Sequence, residues 1–421
     1  MDTAAAARQD FAMSATCLIL GAGQAGGWAA VTLREAGFAG RIVLIGEEPW
    51  LPYERPPLSK ATLTAETEPP IACFRDPARY AAHGIETLTG VRATGIEREA
   101  RRLRLADGRD LSYDRLLLAT GGRARALTVP GGERALRLRT LEDARAIRAR
   151  LATARRVVCI GAGVIGLEVA ASARARGAAV TVLEAAARPM GRSVSPEGAA
   201  FVARLHRDAG VELRCGVAVA AIEPAGDGTE LVLTADGGAF PADVVLAGVG
   251  MERELDLAKA AGLALDGGIA VDPWGRSSDP AIFAAGDVAA FPHPLFPGRR
   301  LRLEAWRHAQ NHGIAVGRAM AGVEAPPYDD IPWFWTDQHG VNLQVAGFPA
   351  EAARSVVRVD RDRVFVAVHL DAADRVIGVT AAGSPRDIRA GTALIRAGCP
   401  VDPRAVADAS VPLPAPRPAE R

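Results

Sequence analysis

The stretch Gly21-Ala22-Gly23-Gln24-Ala25-Gly26 decides the fold of this 421-residue chain, because it follows the apolar run Cys17-Leu18-Ile19-Leu20 and opens a helix-like segment. The same pattern returns 140 residues later as Gly161-Ala162-Gly163-Val164-Ile165-Gly166, again behind an apolar run. Each of these two fingerprints is followed, after a further β-branched run, by an acid, which is Glu47 in the first case and Glu184 in the second. The chain therefore contains two complete strand–turn–helix–strand–acid units.

Each part of such a unit has a physical task. The first Gly permits a tight turn, the second lets the backbone approach a pyrophosphate, and the third lets helix and strand pack closely. The helix N-terminus offers unpaired N–H groups and a positive dipole end to phosphates, and the acid accepts hydrogen bonds from a ribose diol. Glycine-rich turns also occur in α/β folds that bind nothing, but two complete units indicate two dinucleotides held by one protein, with electron transfer between them.

The composition excludes several classes of protein. A hydrophobic fraction of 49% can fill the cores of two to four domains, and a formal charge of +1 lacks the basic excess of a nucleic-acid protein. No apolar run reaches membrane-spanning length, and residues 1–13 resemble no signal peptide. The five Cys form no CxxC pair, which predicts a reducing, cytoplasmic location. His308 and His312 have the spacing of a helical metal pair but no third ligand, so we predict no metal site.

Several further motifs resemble those of the oxygenase-coupled NADH–ferredoxin reductases, the family of putidaredoxin reductase and of the biphenyl and phenylpropionate dioxygenase reductases. The resemblance runs from about residue 14 to 410 and rests on the two fingerprints and on Pro52-Tyr53-Glu54-Arg55-Pro56-Pro57-Leu58-Ser59-Lys60, Leu118-Ala119-Thr120-Gly121-Gly122, Leu138-Arg139-Thr140-Leu141-Glu142-Asp143-Ala144, Phe283-Ala284-Ala285-Gly286-Asp287 and Pro332-Trp333-Phe334-Trp335-Thr336-Asp337-Gln338. It implies an α/β, glutathione-reductase-like fold that binds two dinucleotides and carries a small α+β C-terminal domain.

The resemblance also implies a domain plan. We expect an FAD-binding domain in two segments, 14–124 and 251–327, with an NADH-binding domain inserted at 125–250. Residues 328–410 would form a C-terminal domain that covers the flavin and meets the partner. Residues 1–13 and the Pro-rich 411–421 are expected to be loose tails.

The resemblance places tightly bound FAD on the first fingerprint. Glu47 would take the adenosine ribose, Ala93 would approach the adenine through its backbone, and Asp287 would bind the ribityl chain. Arg139 would reach the flavin from a crossover strand, with a surface Arg as the alternative, and Trp306 would begin the helix that points at the flavin pyrimidine edge. The complete predicted FAD set is Gly21, Gly23, Ala25, Gly26, Glu47, Lys60, Ala93, Arg139, Asp287 and Trp306.

The second fingerprint would hold NADH as co-substrate. A carboxylate at Glu184 repels a 2′-phosphate and so favours NADH over NADPH, and Gly250 would border the nicotinamide nucleotide. Arg188 lies four residues beyond Glu184, so NADPH is disfavoured rather than excluded. The complete predicted NADH set is Gly161, Gly163, Ile165, Gly166, Glu168, Glu184 and Gly250.

Lys60 is one of only two Lys residues in a chain that uses Arg almost everywhere; the other is Lys259. Lys carries a compact point charge, whereas the Arg guanidinium is broad and planar. We therefore predict that Lys60 and Glu168 are catalytic and form an ion pair beside the flavin N5 and the nicotinamide C4. The alternative is an ordinary surface Lys and a Glu on a helix surface.

The predicted function is electron transfer from NADH through FAD to a [2Fe–2S] ferredoxin that serves an aromatic-ring dioxygenase of the Rieske type. Service to a cytochrome P450 is the first alternative. A disulfide reductase or cysteine-based NADH oxidase would need a thiol beside the flavin, where this chain has the Cys-free Pro56-Pro57-Leu58-Ser59-Lys60. A DNA-binding flavoprotein of the apoptosis-factor type is disfavoured by the near-zero charge. Monomer and homodimer both remain open.

Overall fold

The computed structural model describes residues 15–74, 76–226 and 228–413. The strands are β1 Thr16–Leu20, β2 Arg41–Ile45, β3 Ile85–Leu88, β4 Ala93–Glu97, β5 Arg102–Leu105, β6 Asp110–Ser112, β7 Arg115–Leu118, β8 Gly122–Ala124, β9 Arg156–Ile160, β10 Ala179–Glu184, β11 Val211–Cys215, β12 Val219–Pro224, β13 Glu230–Thr234, β14 Ala239–Ala242, β15 Val244–Ala247, β16 Met251–Arg253, β17 Ile269–Ala270, β18 Ile282–Ala284, β19 Ala289–Pro292, β20 Arg300–Leu301, β21 Trp333–Gln338, β22 Val341–Gly347, β23 Arg354–Arg361, β24 Val364–Leu370 and β25 Val376–Ala382.

The α-helices are α1 Gln24–Glu35, α2 Ala61–Thr64, α3 Pro77–Ala82, α4 Leu141–Leu151, α5 Val164–Ala175, α6 Pro196–Asp208, α7 Asp256–Ala260, α8 Trp306–Met320, α9 Pro385–Ala397 and α10 Pro403–Ala407. Short 3₁₀ turns cover Pro56–Ser59, Gly132–Arg134, Gly286–Val288 and Pro349–Glu351. Within the described ranges, no helix has both the length and the apolar character needed to cross a bilayer.

The chain divides into two units. The first contains the residues up to Glu54, Ile71–Arg123 and Glu252–Asp330. The second contains Arg55–Pro70, Ala124–Met251 and the residues from Ile331 onward. The sequence did not predict that the short segment Arg55–Pro70 would group with the second unit. The domain boundaries themselves remain predictions.

The first unit is built on a parallel sheet with strand order β18-β7-β1-β2-β3. Its central strand β1 is fully buried from Cys17 to Ile19, as expected for an apolar strand covered on both faces. Helices α1 and α8 pack closely across small residues. A β-carbon on Gly313 would lie 2.3 Å from the carbonyl oxygen of Ala25, and one on Gly317 would lie 2.9 Å from that of Ala29.

The second unit contains a parallel sheet, β11-β10-β9-β15, and an antiparallel sheet, β21-β22-β25-β24-β23. The parallel sheet carries the second fingerprint between β9 and α5, and its strands are rich in Val and Leu, as the predicted strand–turn–helix pattern requires. The antiparallel sheet is formed by the short alternating runs after residue 332, and helix α9 packs against its strand β25. The predicted two-dinucleotide α/β fold with a small α+β C-terminal region is confirmed.

The C-terminal segment stays attached to this unit for longer than the sequence suggested. The carbonyl oxygen of Val411 accepts a hydrogen bond from Arg358 Nη2 at 2.7 Å, and Leu413 is only 6% exposed. The predicted tail 1–13, and residues 414–421 of the predicted tail 411–421, lie outside the described residues.

Buried histidines are a further property of both units. Burial lowers the pKa of His206 and of His369 to about 4, that of His308 to about 3, and that of His312 well below its usual value. The folded protein therefore binds fewer protons at these rings than the unfolded chain, whose His pKa is about 6.5.

This difference predicts an acid-sensitive fold. Stability is fully present above pH 6.5 and falls as the pH drops from there towards 4, by about 1.4 kcal/mol per pH unit for each of these histidines. The measurement is the free energy of urea unfolding at pH 7.5, 6 and 5. The variant His369→Gln removes one buried imidazole. The free energy of unfolding should then fall less steeply with decreasing pH, by the contribution of one histidine. A free energy of unfolding that is constant between pH 6.5 and 5 would contradict the prediction.

Candidate nucleotide sites and the buried Glu168 network

The first fingerprint forms a cradle between β1 and α1. Gly21 has φ +115°, and a β-carbon there would lie 2.2 Å from the carbonyl oxygen of Ala119. A β-carbon on Gly26 would lie 1.9 Å from the carbonyl oxygen of Gly21, whereas one on Gly23 would have no described residue within 4 Å apart from its chain neighbours. The first and third glycines are thus required by packing, and the second faces open space where a ligand's phosphates can approach the backbone.

The second fingerprint repeats this arrangement between β9 and α5. Gly161 has φ +98°, and its β-carbon would lie 2.6 Å from the carbonyl oxygen of Gly248; that of Gly166 would lie 2.1 Å from the carbonyl oxygen of Gly161. Among the described residues outside its own helix turn, a β-carbon on Gly163 would meet Gly248 oxygen, and at a distance of 3.8 Å. Ile165, in the first turn of α5, is 40% exposed, which is unusual for a large apolar side chain and fits contact with a ligand.

The helices that begin at the two cradles leave their first N–H groups uncapped. Gly23 and Gly163 are the N-cap residues of α1 and α5; neither helix has a side-chain cap or an acid in its first turn. Helix α8, which begins at Trp306, shares both properties. By contrast, Thr140 caps α4 and Ser195 caps α6. An uncapped N-terminus attracts anions, so the residues present fit two pyrophosphate groups.

The two acids differ in their surroundings. Glu47 is exposed, with a side-chain exposure of 69%, and lies 3.8 Å from Arg92. The Glu184 carboxylate accepts hydrogen bonds from the backbone of Ala162 inside its fingerprint, at 2.6 Å, and of Ala186, at 2.7 Å. Glu184 is therefore held against the second cradle, with lone pairs left for a ribose diol. Arg188, four residues further along, donates from Nη2 to the carbonyl oxygen of Gly191 in the same loop, at 3.5 Å.

Other predicted FAD residues of the first unit lie around the first cradle. A β-carbon on Gly46 would lie 2.6 Å from Ala22, so the loop of Glu47 touches the fingerprint. The backbone N–H of Val91 donates to the carbonyl oxygen of Gly46 at 3.0 Å, which brings the nearby start of β4, the buried Ala93, to this side of the sheet.

The turn that carries Asp287 also reaches the first cradle. A β-carbon on Gly286 would lie 2.9 Å from the Ala25 side chain, which is itself 6% exposed. Asp287 is half-buried inside the 3₁₀ turn Gly286–Val288, whose N-cap is Ala285. Asp287 is therefore not the N-cap of this turn.

Trp306 has a partner that the sequence analysis missed. Its indole N–H donates to the carboxylate of Glu54. Burial raises the pKa of Glu54, and this hydrogen bond lowers it in part. Glu54 follows Tyr53 in the quoted Pro52–Lys60 motif, so the motif, but not the pairing, was visible in the sequence.

Arg139 and Gly250 lie in the second unit. Arg139 is not in a strand: it occupies a bend directly before α4, so the predicted crossover strand is wrong at this position. The backbone of Arg139 is fixed by Asp143, whose carboxylate accepts its N–H at 2.9 Å, and by Arg55, which donates to its carbonyl oxygen at 2.5 Å. Gly250, at φ +110°, accepts a backbone hydrogen bond from Arg125.

Lys60 and Glu168 form an ion pair in the second unit, with 2.8 Å between Nζ and Oε2. The predicted pairing is therefore present, and the alternative of a Glu on a helix surface is wrong, because Glu168 is only 2% exposed. The Lys60 side chain is partly buried, at 23% exposed.

Three more donors saturate the Glu168 carboxylate. Ser59 Oγ donates to Oε2, while Thr336 Oγ1 at 2.7 Å and the backbone N–H of Asp337 at 3.3 Å donate to Oε1. We call Glu168 and its four donors the Glu168 network. One turn further along α5, Ser172 Oγ donates to the carbonyl oxygen of Ser59 at 2.6 Å. These contacts explain why the segment Arg55–Pro70 groups with the second unit.

Strand β21 contributes Thr336 and Asp337 to the Glu168 network, and its side chains alternate between two faces. Thr336 and Gln338 point inward and are 0% and 2% exposed, whereas Trp333 and Trp335 are half-buried on the other face, stacked with ring centroids 5.4 Å apart. Lys60 Nζ lies 5.9 Å from the Trp335 ring centroid. The period-two pattern of Trp-Phe-Trp-Thr-Asp-Gln could have shown that Thr336 and Gln338 share a face. It could not have shown that they meet Glu168.

His308 and His312 are buried and belong to an aromatic cluster with Phe291 and Tyr328. His312 Nδ1 accepts the backbone N–H of Gly286 at 3.3 Å, and His308 Nδ1 lies 3.1 Å from the Tyr328 hydroxyl. Across residues 15–74, 76–226 and 228–413, no three His, Cys, Asp or Glu side chains are grouped so that they could hold a metal ion.

Comparison with known proteins agrees with this geometry. The model of the pyridine nucleotide-disulphide oxidoreductase family matches residues 15–313, and a reductase C-terminal model matches 333–415. The ferredoxin–NAD(+) reductase component of the anthranilate 1,2-dioxygenase system of Burkholderia cepacia is 42% identical over 94% of this chain and 98% of its own.

Two solved structures are similar over nearly their whole length. The putidaredoxin reductase of a covalent complex with putidaredoxin is 39% identical, with a TM-score of 0.88 over 95% of this chain and 97% of that chain. The ferredoxin reductase for the CYP199A2 system from Rhodopseudomonas palustris is also 39% identical, with a TM-score of 0.89 over 94% and 98% of the two chains.

The open space beside Gly23 and Gly163 generates a paired prediction. Gly23→Ala should leave the fold intact, because a methyl group there meets no described residue beyond its chain neighbours, but should weaken FAD retention about tenfold or more, because it occupies the approach of the pyrophosphate. Gly163→Ala should retain FAD and raise the Kd of NADH by a similar factor. Flavin content after dialysis and NADH titration test both variants, and each serves as the other's control. Full FAD retention in Gly23→Ala would contradict the assignment of the first cradle.

Proposed function

The chain belongs to the pyridine nucleotide-disulphide oxidoreductase family, and we propose that it is an FAD-dependent NADH:ferredoxin reductase whose [2Fe–2S] ferredoxin serves an aromatic-ring dioxygenase. The observation that carries the proposal is the presence of two complete nucleotide cradles together with the Cys-free segment Pro56–Lys60. Two nucleotide sites permit electron entry and storage. Without a thiol to receive them, the electrons leave to another protein.

The first cradle would hold FAD. The N–H groups at the start of α1 would bind its pyrophosphate, and Glu47 would accept hydrogen bonds from the adenosine ribose. Asp287, Ala93, Arg139, Lys60 and Trp306 complete the set proposed for this cofactor. When bound, FAD accepts a hydride from NADH and releases the two electrons singly.

The second cradle would hold NADH. The start of α5 would bind its pyrophosphate, Ile165 would contact the nucleotide through its exposed side chain, and Gly250 would border the nicotinamide end. Glu184 is already fixed by two backbone N–H groups, so its charge is preorganised against a 2′-phosphate. This supports a preference for NADH over NADPH.

Lys60 and Glu168 are the residues that we assign to the hydride-transfer step. A carboxylate buried to 2% exposure requires a counter-charge and hydrogen bonds, and the Glu168 network supplies both. In return, the network restrains the Lys60 ammonium, which would otherwise move on its flexible stem. We propose that a positive charge fixed in this way orients the flavin and stabilises the negative charge that it acquires on reduction.

The thiols of the chain do not favour a disulfide reductase or a cysteine-based oxidase. Burial raises the pKa of Cys17 and of Cys159 to about 12, so neither forms a nucleophilic thiolate. Burial also raises the pKa of Cys73 and Cys215. All five cysteines lie in the described ranges and none forms a disulfide there, which supports our proposal of a cytoplasmic location.

Relatives of both oxygenase classes support a ferredoxin as acceptor. The relative from Burkholderia cepacia is named for a dioxygenase system, and a second similar structure is named for the CYP199A2 system. The structure with putidaredoxin shows a reductase of this fold bound to its acceptor. The dioxygenase assignment follows the stretches Pro189-Met190-Gly191-Arg192 and Ala309-Gln310-Asn311, which resemble the aromatic-ring dioxygenase branch of the family most closely. A ferredoxin of a P450 system is the alternative.

The proposal is tested by electron transfer in solution. The holoenzyme should reduce a Rieske-type [2Fe–2S] ferredoxin with NADH, and much more slowly with NADPH. In Glu184→Gln the preference for NADH in kcat/KM should fall about tenfold, because the 2′-phosphate no longer meets a charge. Glu212→Gln, on the adjacent strand β11, is the matched control. The proposal fails if no ferredoxin is reduced, or if NADPH alone supports turnover.

The role of Lys60 is tested separately. Lys60→Met keeps the length of the side chain and removes its charge, so the rate of flavin reduction by NADH should fall about tenfold or more in stopped flow. The control is Lys259→Met, which removes the only other Lys, an exposed residue of α7. An unchanged rate and flavin spectrum in Lys60→Met would exclude the catalytic assignment.

A further inference from the structure

A buried line of hydrogen bonds leads away from the Glu168 network into the second unit. Thr336 Oγ1 contacts Glu168 Oε1 at 2.7 Å, and Gln338 Nε2 contacts Thr336 Oγ1 at 3.0 Å. Gln338 Oε1 contacts His206 Nε2 at 2.8 Å, and His206 Nδ1 contacts His339 Nε2 at 3.2 Å. We call Thr336, Gln338, His206 and His339 the donor chain. Its first three members are at most 2% exposed.

The Glu168 carboxylate, at one end of the donor chain, determines the direction of the first two hydrogen bonds. Among the described residues, every hydrogen-bond partner of Glu168 is a donor, and Lys60 supplies the positive charge, so the carboxylate acts only as an acceptor. The single hydroxyl proton of Thr336 must therefore point to Glu168. Because this proton is used, the Thr336 oxygen can only accept a hydrogen bond from Gln338. The Gln338 amide therefore turns its NH₂ group towards Thr336.

The orientation of the Gln338 amide determines the direction of the two remaining hydrogen bonds, from His206 and from His339. With its nitrogen towards Thr336, the Gln338 amide presents its oxygen to His206, whose Nε2 must carry a proton. Nδ1 of the neutral ring is then an acceptor, and it receives the Nε2 proton of His339. Burial lowers the pKa of His206 to about 4, which agrees with a single ring proton at neutral pH. Every donor in the chain thus points the same way, and bonds aligned in this way polarise one another towards the carboxylate.

We propose that Gln338 and His206 are positioning residues for the hydride-transfer step, because they commit the Thr336 hydroxyl to Glu168 and thereby fix the site at which Glu168 holds Lys60. If the amide no longer donates to Thr336, the hydroxyl is free to turn, and Glu168 Oε1 keeps only the longer bond from Asp337. Gln338 also lies 3.9 Å from the sulfur of Met190, whose N–H donates to the carbonyl oxygen of Ala162 in the second fingerprint. The same amide therefore touches both the Glu168 network and the loop behind the NADH cradle.

The second unit contains a matched control for a merely structural role. His369 and Thr380 are both 0% exposed and are joined by a 3.0 Å hydrogen bond, and His369 also contacts Ser355 at 2.9 Å. This pair resembles His206, Gln338 and Thr336 in burial and bonding. Within the described part of the chain, the donors to Glu168 do not include either residue of this pair.

The first experiment reads the protonation of His206 without any catalytic assay. ¹⁵N-labelled histidine in the full-length holoprotein gives seven ring signals, and the signal missing in His206→Gln identifies that of His206. At pH 7.5 the ring should be neutral with its proton on Nε2. A proton on Nδ1, or a cationic ring, would overturn the direction of the donor chain and with it the proposal.

The second experiment measures flavin reduction by NADH and therefore rests on the proposed function. Thr336→Val and Gln338→Met should each lower the hydride-transfer rate about tenfold, since each removes a hydrogen bond that serves a charged group, while the Kd of NADH stays within about twofold. Thr336→Ser, which keeps the hydroxyl, should restore the rate. The control Thr380→Val should reduce flavin at the wild-type rate with a comparable loss of unfolding free energy.

The outcomes separate the two proposals. If NADH does not reduce the wild-type flavin, the proposed function fails, and the His206 signal still tests the donor chain. If the wild type is reduced but Thr336→Val and Gln338→Met behave like Thr380→Val, the positioning role is wrong and the proposed function stands.

Discussion

The burial of one charge, the carboxylate of Glu168, organises the second unit. An ionised group at 2% exposure is stable only with a counter-charge and a full set of hydrogen bonds, because water no longer solvates it. The chain meets this requirement with Lys60 and Ser59 from the segment Arg55–Pro70 and with Thr336 and Asp337 from β21. A single helical residue therefore joins three distant parts of the sequence, and their mutual positions depend on it.

The two nucleotide cradles show how one local design serves two different ligands. In both, a β-carbon on the first or third glycine would clash with a backbone carbonyl oxygen, so only Gly fits there. The second glycine faces open space beside a helix N-terminus without a side-chain cap. The differences lie around them. Glu184 is held by two backbone N–H groups, whereas Glu47 is exposed and lies 3.8 Å from the Arg92 side chain. The contact between Gly286 and Ala25 also brings Asp287 to the first cradle.

The sequence predicted those parts of the site that have a local signature. Both fingerprints and their acids could be named, since spacing and residue type are sufficient there. The Lys60–Glu168 pair was predicted for another reason, the rarity of Lys in this Arg-rich chain. The crossover strand at Arg139 was wrong, because a bend before α4 has no strong sequence signal. The Glu54–Trp306 contact, the hydroxyls of Ser59 and Thr336, and the partners of Gln338 could not be predicted. Each joins residues far apart in the chain, and ordinary polar side chains carry no mark of the partner that they will find.

The amino-acid sequence by itself determined that this protein forms two strand–turn–helix units able to bind dinucleotides, because glycine spacing and apolar runs act within a few residues of one another. It also determined that no cysteine stands in the Pro56–Lys60 segment. The tertiary structure alone decided that Glu168 is buried, that residues from two other segments compensate its charge, and that a line of donors runs through Gln338 and His206. Burial and hydrogen-bond direction depend on groups brought together across more than a hundred residues, and only the folded chain brings them together.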